Sequence, residues 1–308
     1  MSRKHSLDRF AVFAMVLLTA SWGFQQVAIK WAIPEIPPVW QSGLRSLAAT
    51  VLVGFWMLWT RQPWKGGLML PGLVAGLLFG LEFGLLFFAL LHTDAARAVL
   101  LLYTAPFVVA LAAHFLITGE RLAVWGWFGV LLAFAGTAIV LRASFDLDGD
   151  RALGDLCAVG AGIAWGLTTI VIRKTGLAEA APSQTLFYQL VVSGILLCAV
   201  GALFEGPLAM PESAVTVASL IYQIVVVATV SLLAWFALVA RYSVTKLSVF
   251  TFMTPLFGAL AGIVFLDEQV GPHHLIALFC IMAGIVIVNL FGTRKAGGAI
   301  AYNLGNRV

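Results

Sequence analysis

The most unusual side chain in this sequence is the carboxylate of Glu82, which lies in an apolar run between Gly80 and Gly84. The surrounding stretch, residues 69–91, is long enough to cross a membrane, where a central charge costs about 2.5–3.5 kcal/mol on insertion scales. A carboxylate at this depth can bind the ammonium group of a zwitterion, carry a proton, or, when protonated, bond to a neighbouring helix. We expect Glu82 to face an internal cavity.

Two amides and an indole occur together in the first apolar stretch, in the segment SWGFQQVAIK at residues 21–30. Trp22, Gln25 and Gln26 follow helical spacing and share one face of the predicted helix. Adjacent residues differ by about 100° on a helix, so both amides cannot point straight into one cavity, and we favour Gln25. Amides bind charged groups without carrying charge, but they also form ordinary hydrogen bonds between helices, worth roughly 0.6 kcal/mol each.

A related segment, AWGLTTIVIRK at residues 164–174, repeats this pattern in the second half of the chain. Trp165, Thr168 and Thr169 occupy the face that corresponds to the indole and the amides of the first segment. Hydroxyl groups can contact a carboxylate or an ammonium group of a substrate. We therefore assign Trp165 and Thr168 to the candidate cavity.

Aromatic side chains at depth are a further candidate feature. Most tryptophans lie near predicted membrane interfaces, where belts of Trp are expected. A few aromatic residues lie deeper, where they can stack on an apolar or aromatic substrate or pack only against one another. We expect these rings to line the cavity: Trp22, Trp165, Trp235, Tyr103 and Phe87.

The composition explains why these polar groups must lie inside a membrane protein. The chain has 308 residues, of which 61% are hydrophobic and 10% charged, against about 25% charged in a typical soluble domain. Ten apolar stretches can serve as spanning helices: residues 10–31, 38–60, 69–91, 95–117, 122–141, 152–172, 183–204, 214–239, 247–266 and 272–292. The connections are short, so the sequence predicts an all-α membrane protein with no room for a water-soluble domain.

The two halves of the chain share an ordered set of motifs. The correspondences are Trp22-Gly23 with Trp165-Gly166, Lys30 with Arg173, Pro106 with Pro255, and Glu120 with Glu268. We expect residues 1–141 to form one five-helix repeat and residues 152–292 a second. Because five is an odd number of crossings, the second repeat is inverted, and inverted repeats typically enclose a transport site near the membrane midplane and move by alternating access.

Pro106 and Pro255 fall inside the fourth and ninth predicted helices. A proline removes one backbone hydrogen bond and kinks a helix, which a bundle tolerates. Matching kinks can be the bending points of an inner and an outer gate, or static features that shape the cavity.

Small residues form a close-packing stripe in the fifth predicted helix, at Gly126, Gly129, Ala133 and Gly136. Such stripes allow helix backbones to approach closely. We interpret this one as scaffold or as a dimer face, and we expect a monomer or a weak homodimer.

The distribution of Lys and Arg predicts that both termini are cytoplasmic. Arg45 then lies within the second helix, and few basic residues face outward: Lys30, Arg97, Arg142 and Arg151. Inward-facing positive charge accounts for the pI near 9.1 without a nucleic-acid partner. Residues 293–308 are predicted to be a cytoplasmic tail, and the first stretch is too long for the apolar core of a signal peptide.

The sequence offers little for catalysis or for a cofactor. It lacks G-x-x-x-x-G-K-[ST], the phosphate-binding motif of many nucleotide hydrolases. The stretch DEQVGPHH at 267–274 combines carboxylates with His273 and His274, but adjacent residues diverge on a helix and chelate a metal poorly. We therefore expect no enzyme activity, no catalytic residues, no metal site and no cofactor.

The five-plus-five helices, the WG phrase that opens each half, and the proline-containing helices that end in GERL and LDEQ resemble the EamA-type branch of the drug/metabolite transporter superfamily. The resemblance covers nearly all of residues 10–292. Within that branch, LEFGLLFFALLHT at 81–93, LLYTAPF at 101–107 and the segment at 232–255 are similar to YddG-type amino-acid exporters.

The resemblance implies a glutamate in the third helix, a tyrosine in the fourth and an Ala-Trp pair in the eighth, matched here by Glu82, Tyr103 and Ala234-Trp235. It implies a secondary transporter or facilitator that exports aromatic and other neutral amino acids, and related small metabolites, across a bacterial-type inner membrane. Few basic residues occur at mid-membrane depth, which argues against a strongly anionic substrate.

Other interpretations remain open on the sequence alone. An exporter of drugs, nucleobases or vitamins is the alternative within transport. A membrane-embedded enzyme would need reactive side chains clustered at one rim. A packing subunit without a cavity is the remaining possibility, and Glu82 is the feature that it explains worst.

Overall fold

A computed structural model describes residues 8–117, 121–145, 149–242, 247 and 250–291. Glu120 and the predicted tail at 293–308 lie outside the described residues. In the described part, eight helices are long and apolar enough to cross a membrane, and two shorter apolar helices follow them near the C-terminal end. The protein is a multi-pass, all-α membrane protein, as its composition predicts.

The crossings are built from twelve α-helices and one π-helical segment within the described residues. Their bounds are Arg9–Ala32 (α1), Pro38–Trp59 (α2), Met69–His92 (α3), Ala95–Leu102 (α4), Ala105–Leu116 (α5), Val124–Phe145 (α6), Gly149–Lys174 (α7), Pro182–Phe204 (α8), Ala214–Ile221 (α9), Leu232–Arg241 (α10), Met253–Leu266 (α11) and Pro272–Phe291 (α12). The fourth crossing consists of α4 and α5. The eighth consists of α9, the π-helical segment Tyr222–Ser231 and α10.

Local sequence signals set the points at which several helices begin. The Asp8 carboxylate accepts a hydrogen bond of 2.9 Å from the Ala11 N–H and caps α1. The Ser213 hydroxyl does the same for α9, where it accepts from the Thr216 N–H at 3.1 Å. Pro38 opens α2, at a position where an N–H would have no partner within the helix.

The fourth crossing is interrupted between α4 and α5, immediately before Pro106. The N–H groups of Tyr103 and Thr104 bond to carbonyl oxygens three residues back, at 3.2 and 3.1 Å, and the proline has no N–H to offer. In the other half, Phe252 forms a turn and Pro255 lies in the first turn of α11. The helix breaks therefore occur at matching places in the two halves.

Each Trp-Gly motif packs against the proline-containing crossing of the other half. A Cβ atom added at Gly23 would lie 2.6 Å from the backbone nitrogen of Gly258. One added at Gly166 would lie 2.7 Å from Cβ of Val108 and 3.1 Å from the carbonyl oxygen of Ala105. These distances leave no room for a side chain, so glycine is what allows α1 to approach α11 and α7 to approach α5. The same contact thus joins the two halves twice.

Contacts between helices follow the correspondence of the two halves. The second crossing packs against the seventh, the fourth against the ninth and the fifth against the tenth, so that each contacts its own counterpart. The first crossing packs against the ninth, as the sixth packs against the fourth. Since counterparts five crossings apart run in opposite directions, the fold consists of two inverted five-helix repeats.

The small-residue stripe of α6 packs against α12 of the same chain. A Cβ atom at Gly129 would lie 2.7 Å from the carbonyl oxygen of Gly284, and one at Gly136 would lie 2.9 Å from that of Ala277. The interpretation of this stripe as scaffold is confirmed, because its close approach is used inside the chain.

Gly284→Ala is expected to lower the thermal stability of the protein. The added methyl group would lie 2.5 Å from the carbonyl oxygen of Gly129, and overpacking against backbone typically costs about 1–3 kcal/mol. Thermal unfolding of the purified protein in detergent measures the effect. Gly66→Ala is the control, because nothing lies within 4 Å of its Cβ position; equal unfolding temperatures for the two variants would contradict the prediction.

Candidate functional site

A cavity of about 760 Å³ lies between the two halves, within the range of roughly 300–1,000 Å³ that is usual for small-molecule sites. It is bordered by most of the side chains that the sequence assigns to a substrate site: Trp22, Gln25, Glu82, Tyr103, Trp165, Thr168 and Trp235. Pro106 borders it as well. The chain thus brings together residues from five different crossings around one space.

Two residues selected from the sequence lie outside this lining. Phe87 is completely buried, and its ring centroid lies 6.3 Å from that of Phe83, which does border the cavity. Phe87 therefore supports the cavity wall from behind and does not form its surface. Pro255 is buried in the first turn of α11 and also does not border the cavity.

Two aromatic pairs border the cavity, and each pair joins the two halves. The rings of Trp22 and Trp235 meet edge to face with centroids 6.0 Å apart, and those of Tyr103 and Trp165 meet in the same way at 5.6 Å. The Trp22 indole N–H donates a hydrogen bond of 2.8 Å to the Ser231 hydroxyl, which fixes the orientation of that ring. Such surfaces suit an apolar or aromatic substrate side chain.

Arg45 is the functional candidate that the sequence analysis did not select. It borders the cavity together with Glu82 and is only 1% exposed. Its guanidinium carbon lies 3.8 Å from the centre of the Phe83 ring, a favourable cation–π distance. The available signal was a single basic residue well inside the second apolar stretch, but snorkelling to an interface explains most such residues equally well.

Several buried polar atoms at the cavity lack a hydrogen-bond partner among the described residues. They include Nε and Nη2 of Arg45, Oε2 of Glu82, Nε2 of Gln25 and Oε1 of Gln26. Arg45 and Glu82 attract each other electrostatically, but no hydrogen bond or ion pair joins them. Since a buried polar group without a partner typically costs about 1–3 kcal/mol, and a charged one more, this set of atoms is suited to a polar ligand.

The threonine hydroxyls in the sixth crossing already have partners for their protons. Thr168 donates to the carbonyl oxygen of Ala164 at 2.9 Å, and Thr169 donates to that of Trp165 at 3.1 Å. Both threonines border the cavity. They can therefore offer hydroxyl oxygens to a ligand as hydrogen-bond acceptors.

Among the described residues, the lining of the cavity extends toward one face of the protein and not toward the other. We call the face where α1 begins the N-terminal face and the face where α1 ends the far face. The lining extends to Arg173, next to the last residue of α7, and to Leu122, both at the N-terminal face. Toward the far face the lining stops at Gln26, Leu86 and Val99.

A network around Glu268 closes the far face above the cavity. The Glu268 carboxylate accepts hydrogen bonds from the backbone N–H groups of Ala95 and Ala96, at 2.6 and 3.0 Å, and so caps α4. The Lys30 ammonium forms an ion pair with the same carboxylate at 3.2 Å. Lys30, counted above among the outward-facing basic residues, is thus paired with a residue of the opposite half.

A second buried network lies next to it, around Arg97 and Asp155. Both side chains are inaccessible to solvent, and they form an ion pair in which the guanidinium contacts both carboxylate oxygens. Arg97 also donates to the carbonyl oxygen of Val140 at 3.0 Å, and its Nη1 lies 2.8 Å from His274 Nε2. The network links the fourth, fifth, sixth and tenth crossings at the far face. Within the described residues, no group of three or more His, Cys, Asp or Glu residues is arranged to hold a metal.

The profile of the EamA-like transporter family matches this chain twice, at residues 9–142 and 152–290. The chain belongs to the EamA-like transporter family. The two matches correspond to the two five-helix halves, so the EamA unit is present in duplicate. Membership identifies the protein as a membrane transporter and not an enzyme.

Several curated relatives align with the chain at low identity. "Probable amino-acid metabolite efflux pump" of Escherichia coli (strain K12) is 24% identical over 91% of this chain and 94% of its own length. "Uncharacterized transporter YoaV" of Bacillus subtilis (strain 168) is 22% identical over 92% of this chain and 98% of its own. "Uncharacterized transporter YvbV" of the same organism is 29% identical, and that match spans 60% of each chain.

A solved crystal structure has the same overall fold. It aligns with 92% of this EamA-family chain and 98% of its own chain, with a TM-score of 0.63 and 22% sequence identity. At this identity the likeness concerns the arrangement of helices alone.

Asp155→Asn is expected to destabilise the protein strongly. The change removes the charge that pairs with Arg97, and breaking a buried ion pair typically costs about 3–5 kcal/mol, because one charge is left without compensation. The temperature of thermal unfolding in detergent measures the loss.

Glu179→Gln is the matched control, because Glu179 pairs with Lys65 on an exposed surface, where solvent screens an ion pair and leaves it little effect on stability. The Lys65 ammonium holds the pKa of the Glu179 carboxyl below its usual value, so this small contribution is present at neutral pH and is lost on acidification. Equal losses of unfolding temperature in the two variants would contradict the prediction that the buried ion pair contributes more to stability than the exposed one.

Proposed function

We propose that this EamA-family protein is a secondary transporter or facilitator that exports aromatic and other neutral amino acids, and related small metabolites, across the inner membrane. It works by alternating access of the central cavity, as a monomer or a weak homodimer. The observation that carries the proposal is a cavity, enclosed by both inverted halves, that reaches one face and is closed at the other. That asymmetry is expected of one state in an alternating-access cycle.

The lining of the cavity supports a substrate with both polar and apolar parts. Trp22, Trp165, Trp235 and Tyr103 would contact the substrate side chain, and Gln25, Glu82 and Thr168 would contact its polar groups. Arg45 and Glu82 can carry opposite charges at the same cavity, which favours a substrate with no net charge. The printed name of the relative from Escherichia coli, an amino-acid metabolite efflux pump, points in the same direction.

The distribution of basic residues supports the direction of transport. Orientation by the excess of Lys and Arg in cytoplasmic loops assigns the N-terminal face, with both termini, to the cytoplasm. The cavity would then be open to the cytoplasm, where it can load a substrate for export. Release would require opening of the far face, and therefore separation of Lys30 from Glu268.

The broken crossings are the proposed bending points. Pro106 and Pro255 stand at matching helix breaks, and each lies beside a close contact with the Trp-Gly motif of the other half. Bending at these breaks would let residues 1–141 and 152–292, the two proposed repeats, rock against each other. A helix break has few backbone hydrogen bonds to disrupt, so it bends at lower cost than a continuous helix.

Export of drugs, nucleobases or vitamins is the alternative within the family. The apolar share of the cavity wall and the paired amides at Gln25 and Gln26 favour it, since both can serve a flat, uncharged molecule. Flux of labelled amino acids into proteoliposomes, measured with and without a pH gradient, separates the two. Saturable flux of aromatic or other neutral amino acids supports the proposal. If no amino acid is transported but a labelled uncharged nucleobase is, the alternative replaces amino-acid export.

Trp235→Ala is expected to impair aromatic substrates more than small ones. The change removes a ring that borders the cavity and contacts Trp22, and an aromatic pair contributes about 0.5–1.5 kcal/mol beyond its buried area. Competition by tryptophan and by alanine for the same flux measures the difference. Trp125→Ala, at an exposed position of α6, is the control; equal losses across the substrates would exclude a stacking role for Trp235.

Glu82→Gln tests whether the carboxylate carries a proton through the cycle. An amide does not titrate, so a proton-carrying role predicts that flux through the variant no longer responds to a pH gradient. Glu212→Gln, in an exposed connection, should keep the response of the wild type. Gradient-driven flux that persists in Glu82→Gln would rule out the proton-carrying role.

A further inference from the structure

We propose that Arg45 and Glu82 form a two-charge site that binds the carboxylate and the ammonium group of a zwitterionic substrate. This inference rests on the proposed function, since it assigns the substrate class of the same cavity. It adds a carboxylate-binding residue, Arg45, and makes both charges of an α-amino acid requirements for tight binding.

The contrast between two buried arginines carries the first step. Arg45 and Arg97 are equally inaccessible, at 1% and 0% exposure. Arg97 has its guanidinium bonded to Asp155, to His274 and to a backbone carbonyl. Arg45 has Nε and Nη2 without a partner among the described residues, and it borders a cavity. The hydrogen bonds of Arg97 are therefore made to other groups of the protein, whereas Nε and Nη2 of Arg45 are available to a ligand.

A similar contrast separates two glutamates. Both carboxylate oxygens of Glu268 accept backbone N–H groups, and one also contacts the Lys30 ammonium. The Oε2 atom of Glu82 has no such partner among the described residues, although the side chain is only 5% exposed. Glu82 thus has an unused acceptor in a buried position that borders the cavity.

The two charges are close enough to attract each other but not close enough to satisfy each other. Glu82 acts electrostatically on Arg45, yet no hydrogen bond or ion pair connects them in the described structure. The guanidinium instead lies against the ring of Phe83, 3.8 Å from its centre. This cation–π contact supports the guanidinium, and its Nε and Nη2 atoms have no partner among the described residues.

An α-amino acid matches this arrangement because it carries a carboxylate and an ammonium group on one carbon atom. A guanidinium binds a carboxylate through two parallel N–H···O bonds, which adds both strength and geometric selectivity. The ammonium group can reach the Glu82 carboxylate, and the amides of Gln25 and Gln26 have further unpaired atoms for either charge. The aromatic pairs Trp22–Trp235 and Tyr103–Trp165 then remain for the side chain.

The site should discriminate against molecules that lack either charge. A ligand without a carboxylate leaves Arg45 unpaired, and a ligand without an ammonium group leaves Glu82 unpaired. Sites built around buried polar groups reject such analogues strongly. We expect tryptophan to bind at least about tenfold more tightly than tryptamine or indole-3-propionate, and leucine to exceed isoamylamine and 4-methylpentanoate by a similar factor.

Equilibrium binding of these six radiolabelled compounds to the purified full-length protein in detergent tests the proposal. Arg45→Gln should weaken the amino acids and the carboxylic acids by at least about tenfold and leave the amines unchanged, so that the preference for tryptophan over tryptamine disappears. Glu82→Gln should weaken the amino acids and the amines and leave the carboxylic acids unchanged. The preference for tryptophan over indole-3-propionate then disappears. Arg45→Lys, which keeps the charge but not the paired N–H geometry, should lie between Arg45→Gln and the wild type.

Arg142→Gln, at the exposed end of α6, is the control and should bind all six compounds as the wild type does. Monodispersity and unfolding temperature of each variant separate loss of binding from loss of folding. If Arg45→Gln is misfolded, the proposal is decided by the wild type and by Arg45→Lys. For each of these two proteins, the affinity for an amino acid is compared with the affinities for its amine and its carboxylic acid. Equal affinity of the wild type for an amino acid and its two analogues overturns the two-charge site but leaves amino-acid export standing. Absence of binding by every neutral amino acid tested overturns both.

Discussion

Hydrocarbon supplies no hydrogen bonds, so a polar side chain within a crossing needs a partner in its own helix, in another crossing or in a ligand. This constraint organises the structure of this EamA-family protein. At the far face the polar groups satisfy one another, in the networks around Glu268 and around Arg97 and Asp155. At the centre they do not, and the atoms left over at Arg45, Glu82 and the two amides border a cavity.

The need to pair buried polar groups also determines which helices are held together at the far face. The far-face networks hold α1, α4, α7 and α12 together through ion pairs and a helix cap, which closes the cavity on that side. The contacts of glycine with backbone hold α1 on α11 and α7 on α5 at mid-depth. In the proposed alternating-access cycle, the two inverted halves would exchange which face is closed, because the geometry available to one half is available to its counterpart.

The fold was largely predictable because it depends on local composition and on the order of motifs. Apolar length alone located the crossings, since a helix of about 20 residues is the usual way for a chain to cross lipid. The pairs Pro106 with Pro255 and Trp22-Gly23 with Trp165-Gly166 revealed the repeat. The depth of Glu82 in its helix pointed to a cavity that the structure does contain.

What the sequence by itself determined is therefore the number of crossings, their inverted arrangement and the presence of a polar interior. Only the tertiary structure decided which polar groups find partners: Lys30 and Glu268 lie 238 positions apart, and no local pattern connects them. The same holds for Arg45, which a sequence cannot distinguish from a snorkelling residue, and for Phe87, which lies behind the wall that Phe83 forms. Partnership between buried charges depends on distances between crossings, and those are set by how the helices pack, not by the composition of any one of them.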